Sequence, residues 1–404
     1  MTNWTAPTYP RDQCAIAGIG ASDFSRASGR SVLTLAGQAA RAALEDAGIA
    51  PSAVDGIVRC ENDSVAHNDL AHVLDVDELT YWGSVPGGGA APAAMIGQAV
   101  AAIAAGLART VVVFRSLNGR SGERYGRGVA HGAEEVGGNG SLDELFMPYG
   151  LLTPGQMWAM MFRRHQTEFG TSGDALAAIA LAFRARANAN PAAQMADRTM
   201  TRDDYDDAPM ISTPLRRSDF CLETDGACAL VVTATDVARD GPHPLCTIRA
   251  VAQSAPRGMN PAVMFPALLR TSLTTQPSAW VARALYRRAG LGPGDIDVAQ
   301  FYDCFTPTVL MQVEDYGFCA KGEGGPFIEE GSLDLDGVLP SNTAGGNLSE
   351  GYIHGMTHIA EGVRQIRGTS TSQVAGASTC LVTSGLPIVS SALVLTDGSE
   401  VVST

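Results

Sequence analysis

One pattern of residues occurs twice in the sequence, and this repetition limits the folds that the chain can form. Residues 47–55 and residues 289–297 share an initial alanine and glycine, an aliphatic residue, a proline and a final aspartate. Each copy follows an alanine-rich segment with helical spacing and precedes a segment typical of a buried strand. Two copies of one helix–strand unit indicate a pseudo-duplicated α/β fold, with mostly parallel sheets covered by helices.

The other periodic segments extend this pattern over the whole chain. Residues 89–110 and residues 351–372 both have the pattern of a helix followed by a strand. We therefore predict an N-terminal half over residues 1–240, with a loop excursion over about 116–218, and a C-terminal half over residues 241–404. In the first half, strands are expected at 13–20, 55–59, 110–114 and 227–233, and helices at 31–47, 89–106, 156–169 and 174–190.

Charge and cysteine usage exclude several classes of protein. The formal net charge of −14 argues against a nucleic-acid partner, because phosphate backbones are bound by basic surfaces. The eight cysteines include no short Cys-x-x-Cys pair, which favours reduced thiols over a zinc site or disulfide framework. The N-terminus lacks a signal-peptide pattern, and charges or prolines interrupt every long apolar run. We expect a cytoplasmic protein without a membrane span.

Two islands in the second half have the composition of a pocket. They are residues 302–307 and residues 342–358, and each places a tyrosine, Tyr302 or Tyr352, beside small and polar residues. The glycines of the second island indicate sharp turns or backbone close to a ligand. His354 and His358 are spaced like a metal-binding pair, but no third ligand is evident, so no metal site is predicted.

Six motifs, in order and at similar spacing, give the chain a resemblance to the thiolase superfamily over nearly its whole length. It is most similar to the sterol-carrier-protein thiolases and lipid-transfer-type proteins of that superfamily. The resemblance implies α/β architecture with a layered α/β/α/β/α core, halves of order βαβαβαββ and an inserted loop domain. The motifs are Pro148-Tyr149-Gly150, Asn188-Ala189-Asn190-Pro191, Ser212-Thr213-Pro214-Leu215, Cys221 to Ala229, Asp303-Cys304-Phe305 and Gly345 to Gly355.

Three departures from the thiolase pattern bear on the chemistry. The resemblance places the thiolase nucleophile, a cysteine activated at a helix N-terminus, near Gly89, yet no cysteine occurs between Cys60 and Cys221. This absence removes thioester formation on that helix. The histidine of the family's His-Asp-Cys-Phe motif is Tyr302, and the histidine of its Gly-His-Pro loop is Tyr352. Two imidazoles are thus replaced by phenols, whose ordinary pKa is about 10.

This combination of changes is similar to that in the thiolase-like aldolases of steroid side-chain degradation. The resemblance implies retro-aldol cleavage of a β-hydroxyacyl-CoA into a ketosteroid and propionyl-CoA. It implies that coenzyme A is part of the substrate and that no cofactor is tightly bound. It further implies a homodimer that joins a small acyl-CoA-binding partner, with a zinc ribbon and an OB fold, in a heterotetramer.

Such a reaction needs a base for the substrate hydroxyl, donors for the thioester oxygen and an acid for the enolate carbon. We expect Tyr352 to act as the acid/base on the hydroxyl side, and Tyr302 to polarise the thioester or complete a proton relay. The reverse order is also open. The other expected pocket residues are Cys304, Cys380, His354, Asn342, Asn347 and Gly89. For Cys304 and Cys380 the default reading is a buried free thiol. The two asparagines are also suited to a structural role in turns.

Two other functions compete with the aldolase. One is a noncatalytic lipid or acyl-CoA carrier with a degenerate thiolase site, and the other is an acetyl-CoA acyltransferase that uses another nucleophile. The absence of a cysteine near Gly89 counts against the acyltransferase. The paired tyrosines count against the carrier, because an inactive site has no need of two ionisable replacements.

Overall fold

The computed structural model describes residues 8–122, 124, 146–257 and 265–399. The strands are β1 Cys14–Ala21, β2 Gly56–Cys60, β3 Tyr81–Val85, β4 Thr110–Asn118, β5 Met210–Ser212, β6 Leu215–Arg216, β7 Asp225–Ala234, β8 Thr247–Ser254, β9 Val298–Gln300, β10 Thr379–Gly385 and β11 Ser390–Thr396. The α-helices are α1 Val32–Ala47, α2 His67–Leu74, α3 Pro92–Ala104, α4 Pro154–Phe169, α5 Asp174–Ala189, α6 Arg202–Asp206, α7 Thr235–Arg239, α8 Ser278–Ala289, α9 Thr306–Asp315, α10 Gly324–Glu329, α11 Gly346–Ser349 and α12 Met356–Arg367. Most of the excursion's predicted initial loop, residues 116–141, lies outside the described residues.

Nine strands form one sheet whose two sides repeat the same arrangement. Their order is β3-β2-β4-β7-β1-β8-β11-β10-β9, so the first five strands come from the first half and the last four from the second. The sides meet where Ala15 of β1 pairs with Thr247 of β8. β2 is parallel to β3 and β4, and β9 is parallel to β10, whereas β7 and β11 are antiparallel to β4 and β10. This topology confirms the pseudo-duplicated α/β fold. The expectation of mostly parallel sheets is wrong, because five of the eight strand pairings in this sheet are antiparallel. β11, for example, follows β10 after a short turn that reverses the chain, without a helical crossover. The boundary at residue 240 stays a prediction.

The third strand of the second half is reduced to a single bridge. Ser341 pairs with Ala299 of β9 at the place that β3 takes beside β2 in the first half. Pro340 comes before it and has no N–H to donate to a sheet. Asn342 follows with a φ of 46°, which ends the extended backbone. The predicted order of elements is therefore present, with this strand shortened for a local reason.

Helices α3 and α12 form a layer between the two sides of the sheet. α3 packs on β2 and β7 of one side and on β8 and β11 of the other, and α12 packs on β9 and β10 but also on β7 and β1. Ile96, Val232, Ile359 and Leu393 meet in this layer and are fully buried. α1 covers β1, β4 and β7, and α8 covers β8 and β11. The result is the predicted α/β/α/β/α layering.

The repeated alanine–glycine pair marks the same structural event in both halves. α1 ends at Gly48, with a φ of 64°, and α8 ends at Gly290, with a φ of 72°. Glycine adopts this left-handed conformation without the steric cost that a side chain adds. At its other end α1 is capped by Ser31, whose hydroxyl accepts a hydrogen bond from the Thr34 N–H at 3.1 Å. The duplicated sequence thus encodes a duplicated helix stop.

The buried helix of the first half begins later than predicted. We expected it to start at Gly89, but α3 begins at Pro92 and is preceded by a 3₁₀ turn over Gly88–Ala90. Gly87 and Gly88 have φ angles of 107° and 53°, which a right-handed α-helix does not allow. Proline at the first helical position then sets the start of α3. The glycines therefore form a corner before the helix.

Within the described ranges, none of the helices combines the length and apolar composition needed to cross a bilayer. The same residues contain no group of three or more His, Cys, Asp or Glu side chains that could hold a metal ion. The eight cysteines carry free thiols. His354 and His358, which are spaced like a metal pair, each have another partner in the site described next.

Candidate active site

Two tyrosine side chains from different loops meet in the second half. Tyr302 lies between β9 and α9 and is 1% exposed, whereas Tyr352 lies between α11 and α12 and is partly buried. Their hydroxyl oxygens are 3.3 Å apart, which is a long hydrogen bond. The structure therefore brings together the two residues that we predicted as the catalytic pair.

The backbone of Tyr302 is fixed by a strand and a helix. Its N–H donates to Thr383 Oγ1 of β10 at 2.8 Å. Its carbonyl accepts from Thr308 Oγ1 and from Gln312 Nε2 of α9, each at 2.8 Å. The ring rests against Gly355, where an added Cβ would lie 2.9 Å from Tyr302 Cδ2. These contacts leave the phenol little freedom to move.

The space for a side chain at residue 89 is occupied by Tyr302. A Cβ added to Gly89 would lie 1.8 Å from the Tyr302 hydroxyl oxygen and 2.2 Å from its Cζ. Gly89 is in the 3₁₀ turn ahead of α3, where the resemblance placed the thiolase nucleophile. Tyr302 thus reaches the position of the missing cysteine side chain, and the glycine is required for it to do so.

His354 lies beside Tyr352 and forms a buried hydrogen bond with Arg115. Arg115 Nε donates to His354 Nδ1 at 3.1 Å, and Arg115 Nη1 lies 3.0 Å from the Asp63 carboxylate. The imidazole stands perpendicular to the Tyr352 ring at a centroid distance of 5.2 Å, and a Cβ on Gly88 would lie 3.4 Å from His354 Cε1. Burial, followed by the charge of Arg115, lowers the pKa of His354 well below its usual value. The ring is therefore neutral at physiological pH.

Sequence reasoning missed the ion pair of Arg115 and Asp63. Arg115 follows the apolar run at residues 110–114, and both its side chain and that of Asp63 are almost completely buried. An arginine in a buried strand is a usable signal, because buried charges need a partner. No comparable pattern identifies Asp63 as that partner.

His358 and Asn342 have partners that fix the backbone around the site. His358 Nε2 is 2.8 Å from Asp303 Oδ1, and both side chains are fully buried. The Asn342 amide pairs with the N–H and carbonyl of Phe301 at 2.7 and 2.8 Å. Asn342, which we expected in the pocket, therefore uses its amide to hold the residue before Tyr302.

Asn347 is buried with an unsatisfied side chain. Its amide nitrogen and oxygen have no hydrogen-bond partner among the described residues, and the residue is 0% exposed. Its backbone N–H donates to Asp303 Oδ1 at 2.9 Å, and its carbonyl accepts from the Leu222 N–H at 2.9 Å. A buried amide is costly unless water or a ligand pairs with it. Asn347 stays a predicted hydrogen-bond donor of the pocket.

Cys304 and Cys380 are buried thiols, and burial raises the pKa of each well above its ordinary value. Cys380 packs under Gly362, where an added Cβ would lie 3.2 Å from its Sγ. Along α12, that contact is about 10 Å from Gly355, on which Tyr302 rests. The structure therefore does not bring Cys380 to the tyrosines by any described contact. Neither thiol ionises at neutral pH, which argues against acyl transfer through them.

Glu350 is a buried carboxyl group two residues before Tyr352. Its carboxyl oxygen lies 3.7 Å from Arg364 Nη1 and 3.4 Å from Asn190 Nδ2. Burial raises the pKa of Glu350 to about 8; attraction to Arg364 opposes this shift, and repulsion from Glu361 and Asp303 adds to it. The group therefore keeps its proton through most of the neutral range in the folded protein.

We expect Glu350→Gln to flatten the pH dependence of stability. The folded pKa lies above the ordinary carboxyl value, so the folded state binds more protons and wild-type stability falls as pH rises from about 4.3 to about 8. Relative to Glu350→Gln, the wild-type protein should lose about 3–4 kcal/mol between about pH 5 and about pH 8.5. Urea unfolding at both pH values measures this difference. Exposed Glu330→Gln is the control, and a Glu350→Gln curve parallel to wild type would contradict the prediction.

Comparisons with known proteins agree with the resemblance seen in the sequence. The thiolase C-terminal domain-like family matches residues 267–396. A steroid side-chain-cleaving aldolase from Thermomonospora curvata is 42% identical over 382 residues, which are 94% of this chain and 97% of the relative. A 17-hydroxy-3-oxo-4-pregnene-20-carboxyl-CoA lyase from Mycobacterium tuberculosis is 41% identical over 384 residues, 95% of this chain and 99% of the relative.

Solved structures extend the similarity to three dimensions. A structure described as an Ltp2-ChsH2(DUF35) aldolase superposes with a TM-score of 0.91 at 40% identity, over 97% of this chain and 100% of that chain. Human mitochondrial 3-ketoacyl-CoA thiolase has a TM-score of 0.69 at 15% identity, over 96% and 99%, and shows the shared fold alone. The near-complete coverage at about two-fifths identity places the chain in the thiolase superfamily, in the branch of the steroid side-chain-cleaving aldolases.

Proposed function

We propose that the protein cleaves the side chain of a steroid β-hydroxyacyl-CoA by a retro-aldol reaction, giving a ketosteroid and propionyl-CoA. The observation that carries this proposal is the pair of tyrosine hydroxyls 3.3 Å apart, one of which fills the space of a thiolase nucleophile. The two relatives at 41–42% identity, named as an aldolase and a CoA lyase, support it.

The reaction balances without an added oxidant or reductant. The substrate hydroxyl loses its proton, its C–O bond becomes the ketone, and the bond between the α and β carbons breaks. The electron pair passes to the α carbon and thioester as an enolate, and a proton then adds to the α carbon. The protein has to move two protons and hold the enolate oxygen. Coenzyme A enters only as part of the substrate.

The two tyrosines differ in burial, and we assign them different roles on that basis. Desolvation, together with Tyr352 nearby, raises the pKa of Tyr302 well above its ordinary value, so Tyr302 remains a neutral donor. A neutral hydroxyl at 3.3 Å stabilises a phenolate on Tyr352 by donating to it. We therefore assign Tyr352 as the acid/base for the substrate hydroxyl and Tyr302 as the donor that completes the relay. In the bound state Tyr302 is also the candidate to polarise the thioester oxygen.

We propose that the protein acts in the cytoplasm and forms a homodimer. Two partner chains join this homodimer to make a heterotetramer. The partner is a small acyl-CoA-binding protein with a zinc ribbon and an OB fold. The solved relative whose description names a DUF35 component supports such a partner. For the homodimer we propose the edge strand β3, at the end of the sheet, where Trp82 is 65% exposed. Unpaired strand edges are ready to pair with a second chain.

A substrate assay separates the aldolase from its two rivals. The chain is incubated with a 17-hydroxy steroid carboxyl-CoA, with and without the partner, and ketosteroid and propionyl-CoA are quantified. We expect equal amounts of both products. Binding without product in either case would favour the noncatalytic carrier. Acyl transfer to free coenzyme A would favour the acyltransferase.

A further inference from the structure

The buried ion pair behind His354 is not used by the two-tyrosine chemistry. Asp63 and Arg115 have side chains that are 0% and 1% exposed and lie 3.0 Å apart. Asp63 also accepts from the Ser116 N–H at 2.7 Å and from the Val65 N–H at 2.9 Å. A buried ion pair adds little net stability, because both charges lose their hydration. Its position against a site residue therefore points to a role in the site.

Arg115 determines which nitrogen of His354 carries the proton. A guanidinium stays charged and can only donate, so the 3.1 Å contact of Arg115 Nε makes His354 Nδ1 an acceptor. A neutral imidazole has one proton, which must then be on Nε2. A second proton on Nδ1 would point at the Arg115 N–H and break the hydrogen bond.

His354 is packed where the two halves of the protein meet. Its Cε1 faces Gly88 of the first half, and its ring stands perpendicular to Tyr352 at 5.2 Å. His354 also has a φ of 54°, a left-handed conformation that costs a non-glycine residue about 1–2 kcal/mol. The surrounding contacts must hold this conformation. The hydrogen bond from Arg115 ties the strained residue directly to β4.

We propose that Asp63 and Arg115 are positioning residues that hold His354 as the neutral Nε2–H tautomer, and that this imidazole keeps the Tyr352 ring oriented for proton transfer. The second part rests on the proposed function. Arg115 on β4 contacts the imidazole directly, and Asp63 and Cys60 at the end of β2 lie behind Arg115. Further ionisable groups on this side, among the described residues, are Tyr352, Tyr302, and His358 paired with Asp303.

The tautomer is measured without substrate, by NMR on the full chain labelled with ¹⁵N-histidine. The His354 signals are assigned from their loss in His354→Gln. We expect two-bond ¹H–¹⁵N correlations with the Nε2–H pattern, and no titration between about pH 6 and about pH 8. A titrating ring, or a proton on Nδ1, would overturn the proposal. Because the NMR measurement involves no turnover, its result can be interpreted even if the steroid assay fails.

Removal of the ion pair tests the effect on Tyr352. The double variant Asp63→Asn, Arg115→Met avoids an unpaired buried charge and removes the repulsion from Arg115. The pKa of His354 should therefore rise, although burial still holds it below its ordinary value. We expect kcat to fall about ten- to hundredfold with a smaller change in KM, and a new ionisation to appear on the acid side of the pH profile. Unchanged kcat and an unchanged profile in the folded variant would refute the positioning role. If the variant does not fold, His354→Asn replaces it, because asparagine tolerates a positive φ but lacks the Nε2–H; normal kcat in that variant would equally refute the role.

A control removes another arginine–aspartate pair, in which the arginine is buried and the aspartate is partly exposed. Arg367 Nη1 lies 2.8 Å from Asp46 at the far end of α12, and the Arg367 side chain is 3% exposed. The double variant Asp46→Asn, Arg367→Met should lower the melting temperature. It should leave the His354 NMR spectrum and the shape of the pH–rate profile as in wild type. If this control shows a comparable new ionisation, the ionisation in the first variant cannot be attributed to the loss of Arg115.

Discussion

Tyr352→Phe should nearly abolish carbon–carbon cleavage without disturbing the fold. Removal of one general acid–base group lowers rates by about 10²–10⁴-fold, so we expect kcat to fall within that range. Phenylalanine keeps the ring that stands against His354 and removes only the hydroxyl that lies 3.3 Å from Tyr302. The measurement is the initial rate of propionyl-CoA release at saturating substrate, with circular dichroism to verify folding.

Two further variants make this test specific. Tyr149→Phe is the matched control, because Tyr149 is 89% exposed, and its activity should equal wild type. Tyr302→Phe and the double Phe variant should show non-additive losses, since hydroxyls that share a hydrogen bond act as a unit. Near-normal turnover by Tyr352→Phe would refute its assignment. A loss confined to Tyr302→Phe would reverse the two roles.

Gly89→Ala should inactivate the protein, although it adds a single methyl group. The new Cβ would fall 1.8 Å from the Tyr302 hydroxyl oxygen, so the phenol must move away from Tyr352. A displacement of about 1 Å in a catalytic group can cost about 10²-fold in rate, and we expect a loss of kcat at least that large. Forcing extra volume into a packed site also costs about 1–3 kcal/mol of folding free energy. Enzyme assays and thermal unfolding measure the two effects.

Gly173→Ala is the control for this substitution. A Cβ at Gly173 meets no atom within 4 Å, and its φ of −70° suits any residue. We expect activity and melting temperature close to wild type. Full activity of Gly89→Ala would show that Tyr302 does not need the position it occupies, and the assignment of Tyr302 would then be wrong.

The fold was predictable from the sequence because its signals are local. The helix stops at Gly48 and Gly290 depend on backbone conformations that glycine supplies, and apolar runs predicted the strands around them. The shortened third strand was harder to foresee. It depends on Pro340 and on the positive φ of Asn342, two neighbouring residues that end pairing for different reasons.

The site was predictable only in part. Resemblance supplied the positions of Tyr302 and Tyr352, and the structure brings their hydroxyls together. The contact between Gly89 and Tyr302 depends on how one half packs against the other, which no local pattern encodes. For the same reason the ion pair of Arg115 with Asp63 went unpredicted, as did its hydrogen bond to His354 across the halves.

The pocket draws on both copies of the duplicated unit, and this has a consequence for folding. Gly88, Gly89 and Arg115 come from the first copy, whereas Tyr302 and His354 come from the second. Neither copy alone can form the site, so a ligand that binds there binds only the docked pair. By mass action it stabilises both copies together, by about 2.7 kcal/mol at a hundredfold excess over Kd. The duplicated units should therefore unfold in a single cooperative transition once the pocket is filled, even if they separate in its absence.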